Sequence, residues 1–179
     1  DHTQDLPWLG NTLGVTDKVL PPWTPIAARL QAGGTALDLS CWGRTYHVGA
    51  SGLFTSIDTA AQSGIDPSAR EILAGPVRGE VIQDGKAVAL SASGLKEVKT
   101  APHEASYRGE LSGTGWRITT RGRMEYDGYV EHRLTLAPDG EQRPERLRLV
   151  IPLKPAEATH LAHAQSELLR VEILCERDG

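Results

Sequence analysis

Aromatic rings are scarce in this chain, with four Trp, four Tyr and one Phe among 179 residues. A sugar-binding surface needs several exposed flat rings, so a dedicated carbohydrate-binding module is a second choice from the outset. Cysteine is scarcer still. Cys41 and Cys175 exclude a metal site built from cysteine alone, and they are read as two buried thiols or, if their strands are neighbours in an oxidising compartment, as a bridge. No apolar run approaches the roughly 20 residues of a membrane-crossing helix. Neither sign of charge prevails: 19 Lys and Arg stand against 23 Asp and Glu, for a net charge of −4. A nucleic-acid or polybasic membrane surface is therefore not expected. No glycine-rich loop precedes a helix, and Ser51 lacks the Gly-x-Ser-x-Gly frame, so neither a nucleotide, another cofactor nor a serine nucleophile is expected.

What the chain has in quantity is alternation. Trp116, Ile118, Thr120, Met124 and Tyr126 fall on one face of a period-two pattern, with Arg117, Thr119, Arg121, Arg123 and Glu125 on the other. After Asp127-Gly128 the pattern resumes from Tyr129 to Leu136, with Val130, Leu134 and Leu136 as its apolar set. A two-residue turn would place the two apolar sets on opposite faces. A three-residue loop, Tyr126 to Gly128 with Gly128 left-handed, pairs Met124 with Val130, Ile118 with Leu136 and Arg123 with Glu131, and makes both faces consistent.

Similar short strands are predicted at 36–41, 44–48, 53–57, 80–83, 86–90, 96–100, 104–111 and 145–153, the last ending at Pro152. Residues 60–70 read as loop, and Ala156 to Glu176 as irregular structure followed by a strand. Repeated strands without long helical periods predict an all-β fold, a two-sheet antiparallel β-sandwich spanning 35–179. Residues 1–34, rich in Pro and carrying Trp8 and Trp23, read as an extended arm packed on the domain or its neighbour. The predicted core includes Leu37, Leu39, Ile57, Ile118, Met124, Val130, Leu134, Leu136, Leu147, Leu149 and Ile151, with Trp42 and Trp116. The opening Asp1-His2-Thr3-Gln4 suggests a piece of a longer protein.

The candidate chemistry is thin. Glu125 and Asp127 lie close on one hairpin, but turn chemistry explains Asp127 and arginine neighbours explain Glu125. His160 and His163 could share a helical face, yet a metal site needs a third ligand, so no metal is expected. Arginines 117, 121, 123, 133, 146 and 148 are expected to crowd the outward face of three adjacent strands, where they could grip an acidic glycan or a neighbouring domain. Tyr126 and Tyr129 at a hairpin tip, with Trp8 and Trp23, are the candidate sugar platforms.

Four stretches together, LPWLGNTLGVTDKVLPPWTPI from Leu6, WGRTYHVGASGLFTSI from Trp42, EILAGPVR from Glu71, and Met124 to Leu153, resemble the front domain of large bacterial proteins similar to glycoside hydrolase family 123. The resemblance implies a β-sandwich followed by a catalytic barrel that removes terminal N-acetyl-β-galactosamine, with the sugar's acetamide as nucleophile assisted by adjacent Asp and Glu. No stretch here matches that acidic pair, so no catalytic residue is assigned. The expected role is a non-catalytic domain supporting or orienting a downstream catalytic domain of the same polypeptide. A secreted or periplasmic setting and a glycan as second partner are implied; the alternatives are a carbohydrate-binding module and a small enzyme in its own right.

Overall fold

The computed structural model describes residues 16–59 and 70–157. Alternation produces strands at once: Leu37, Leu39 and Cys41 are buried on β2 (Ala36–Cys41) while their neighbours stay half-exposed. A two-residue Trp42-Gly43 turn returns the chain as β3 (Arg44–Gly49), and β4 (Phe54–Thr59) follows. The edges are β1 (Ala27–Leu30), paired with β2, and β5 (Arg70–Glu71), paired with β4. Regular structure thus begins inside the stretch read as an arm. All four β1 residues are exposed, so no burial pattern marks this strand in the sequence.

A second hairpin, β6 (Arg78–Gln83) and β7 (Lys86–Ala87), turns at Asp84-Gly85, both with positive φ, as the sequence predicts for a tight connection. The chain then builds the central sheet from β8 (Ser91–Ala92), β9 (Lys96–Thr100), β10 (Glu104–Gly113), β11 (Trp116–Glu125) and β12 (Val130–Pro138). β11 lies between β10 and β12, and both β8 and β9 pair with β10. The β11–β12 register matches the face argument, with Met124 opposite Val130, Arg123 opposite Glu131 and Ile118 opposite Leu136. Gly128 has φ 87°, the left-handed geometry required at the third loop position.

β13 (Arg146–Val150) does not continue the central sheet but pairs with β6, making a third, three-stranded sheet. The fold is therefore an all-β antiparallel sandwich in which the long central strands serve two partners. One half of the central sheet packs on β2–β4 through Leu37, Leu39, Tyr46, Val48, Phe54, Tyr107 and Met124. Its other half, Trp116 and Ile118, packs on Val81 of β6. Leu134 of β12 touches both clusters and joins them.

Two expected core residues lie elsewhere. Leu147 is 39% exposed: among the described residues its strand is paired on one side only, and it precedes the segment where Leu149 and Ile151 reach the core. Trp42 is half-buried at a hairpin turn. No helix among the described residues is long and apolar enough to cross a membrane. The expectations for 60–69, for His160 and His163, for Cys175 and for the final strand lie outside the described residues.

Candidate functional site

Three of the four aromatic candidates gather at one end of the sandwich. The β2–β3 turn meets the β11–β12 loop at Gly128, where the Tyr46 hydroxyl donates to the Gly128 carbonyl at 2.9 Å. Tyr126 is half-buried, its N–H donating to the His103 carbonyl at 3.0 Å, and Tyr129 is 57% exposed. Trp23 stacks edge-on against Trp42, with centroids 5.2 Å apart and planes at 88°. No ring of another described residue stacks on Tyr126 or Tyr129. The end therefore offers one open tyrosine and a tryptophan pair rather than a continuous flat platform, and Trp8 lies outside the described residues. Trp42 was missed because its apolar character and strand-like context read as core.

Carboxylates that the strands bring together close on cations. Glu104 and Glu125, opposite one another on β10 and β11, both bind Arg123, at 2.6 and 2.7 Å. Asp38 and Asp58 accept from the two ring nitrogens of His47 at 2.7 and 3.0 Å, across β2, β3 and β4. Only an imidazolium donates from both nitrogens. Partial burial works against that charge, but the two carboxylates outweigh it and raise the His47 pKa. Asp127 accepts from the Tyr129 N–H at 2.8 Å, the turn role read from the sequence.

Glu71, the first residue of the EILAGPVR stretch, clamps β4 to the following segment. It accepts from Ser56 Oγ and from the N–H groups of Ile57 and Leu73, both at 3.1 Å. Burial disfavours its charge, yet these donors win and hold its pKa below the usual range. A general acid for glycoside cleavage needs the opposite shift.

A polar relay lies under the central sheet. Tyr107 on β10 lies over Gly122, and its hydroxyl pairs with His132 Nε2 on β12 at 2.9 Å. A Cβ at position 122 would stand 2.2 Å from the Tyr107 ring, so glycine is required there. The other side of His132 is bonded to the Gly52 backbone, and burial lowers the imidazole pKa to about 4. The neutral ring then donates to Gly52 and accepts from Tyr107, whose own ionisation burial pushes up. The relay lies between the sheets, with Phe54 edge-on to the half-buried His132 at 4.7 Å.

On the opposite, outward face lies a shallow concavity of about 320 Å³ lined by residues of β9–β12, among them Lys99, Ser106, Arg108, Arg121, Arg123 and Arg133. The expected arginine face is therefore partly present. Arg117, Arg121, Arg123 and Arg133 share the central sheet, and Arg108 joins them. Arg146 and Arg148 belong to β13 in the third sheet, which corrects the expectation of three adjacent strands. No group of three or more His, Cys, Asp or Glu side chains among the described residues could hold a metal.

The fold and these sites define a β-sandwich domain with a charged outer face and with its paired carboxylates bound to cations. The family model for glycoside hydrolase 123, third domain, matches residues 32–167, and the chain belongs to that family. The family counts this as the third domain, whereas the resemblance read from the sequence implied a front domain. No curated protein matches the chain.

Proposed function

We propose that this chain is a non-catalytic domain of a multidomain glycoside hydrolase acting on N-acetylated amino sugars, and that it supports or orients the catalytic barrel of the same polypeptide. The observation that carries the reading is the fate of its paired acids. Glu104 with Glu125, and Asp38 with Asp58, each enclose a cation instead of facing a shared cleft. Glycoside hydrolysis needs one carboxyl kept protonated and a second group aimed at the same sugar. Family membership supplies the glycosidase context. A secreted or periplasmic location belongs to the same proposal and rests on the resemblance.

The test is to incubate the 179-residue protein with an aryl N-acetyl-β-galactosaminide. Release of the aryl group should not exceed that in buffer. Turnover that disappears in Glu125→Gln or Asp127→Asn would overturn the non-catalytic role.

A further inference from the structure

The cross-strand register sets three guanidinium-bearing residues in one row: Arg108 of β10 is opposite Arg121 of β11, which is opposite Arg133 of β12. Lys96 of β9 extends the row beyond Arg108. Like charges directly opposite one another on a sheet are unfavourable, and the chain relieves this at the ends of the arginine row. Arg108 binds Glu97 at 3.0 Å, and Arg133 binds Glu131 at 3.3 Å. Arg121, in the middle, has no acidic partner among the described residues.

The same row borders the concavity, and in the next row Ser106 lies between Lys99 and Arg123. Ser106 is short where its neighbours are long, which leaves a depression lined by its hydroxyl, by five cations and by Glu97 and Glu131, the two acids that hold Arg108 and Arg133. Glu97, at the rim, has φ 53°, a left-handed conformation uncommon for glutamate, where the register of β9 against β10 shifts. Such irregularities re-aim side chains, and this one accompanies the Glu97 contact that occupies Arg108 and leaves Arg121 open.

We propose that this concavity binds the oxyanion group of an acidic saccharide, a carboxylate or a sulfate ester, with Arg121 as the forked donor and Lys99 and Ser106 beside it. Guanidinium matches both oxyanions bidentately, and an anion placed here also removes the repulsion along the row. The concavity is at the lower end of the size range for small-molecule sites, which suits one or two sugar units.

Calorimetric titration of the 179-residue protein with a sulfated disaccharide, a uronate disaccharide and their neutral counterparts tests the assignment and separates the two oxyanion sources. At least one acidic probe should bind, its neutral counterpart at least about tenfold more weakly, as expected for loss of a charge-assisted bond. Arg121→Gln should weaken the acidic probe by about tenfold or more, and Arg121→Lys by an intermediate factor, without lowering the melting temperature. Arg117→Gln, on the same face outside the concavity, should change it less than about twofold. Equal binding of acidic and neutral probes, no binding of either acid at about 1 mM, or an equal effect of Arg117→Gln would overturn the proposal. So would a loss of full-length stability in Arg121→Gln without acid binding, because the face would then be a contact between domains.

Discussion

The hydroxyl of Tyr46 donates to the carbonyl of Gly128 at 2.9 Å, joining the first sheet to the tip of the central hairpin across 82 sequence positions. Tyr46→Phe should cost about 1 kcal/mol by leaving a buried carbonyl unpaired. Gly128→Val should cost more. It combines a φ of 87° with a Cβ only 3.0 Å from Arg44 Nη1 and 3.3 Å from Tyr46 Oη. Urea midpoints of the two variants check the order.

Leu134 is half-buried but belongs to both core clusters. Leu134→Ala should therefore destabilise by about 2–3 kcal/mol, at the low end for a core leucine. A loss below about 0.5 kcal/mol, the range of surface substitutions, would show that the clusters are not joined there.

Thr120 is fully buried on β11, and its Oγ1 has no hydrogen-bond partner among the described residues. Thr120→Val keeps the shape and removes the unsatisfied hydroxyl, so stability should rise by about 1 kcal/mol. For a chain of this size that is a gain of about 2–4 °C in thermal midpoint.

His132 titrates near 4 when folded, against an ordinary 6.5. Between those values the unfolded chain binds the proton and the folded one does not, so stability falls as pH drops from 6.5 towards 4. The loss should be about 2 kcal/mol at pH 5. His47 acts in the other direction, its contribution being full below its unfolded pKa and lost as pH rises through the raised folded value. Chemical denaturation of wild type and His132→Gln at pH 7 and pH 5 separates the two, since the variant should lose the acid-side decline due to position 132.

The hairpin from Trp116 to Pro138 was legible because both of its faces carry the same period, and only one loop length keeps them in register. The same reasoning found the arginines of β11 and β12 but not Arg108, whose strand was recognised only as a span. Arg146 and Arg148 were misplaced because strands consecutive in sequence are usually neighbours, and here the chain crosses from β12 back to β6. β1 was invisible, since an exposed edge strand has no buried face to impose alternation. The acid–cation closures at Arg123 and His47 depend on partners up to 19 positions apart and on which strands adjoin, which spacing alone does not specify.

The proposed supporting role is tested most directly by comparing the proposed multidomain hydrolase with its proposed barrel alone, in kcat, KM and thermal midpoint on one aryl N-acetyl-β-galactosaminide. The account predicts that removing this domain lowers the thermal midpoint by several degrees, as expected for loss of about 1–3 kcal/mol of domain contact. It also predicts that kcat stays within about threefold, a change of less than about 1 kcal/mol in the barrier. A fall in kcat of about a hundredfold or more at an unchanged midpoint would contradict it, because this domain would then supply chemistry rather than support.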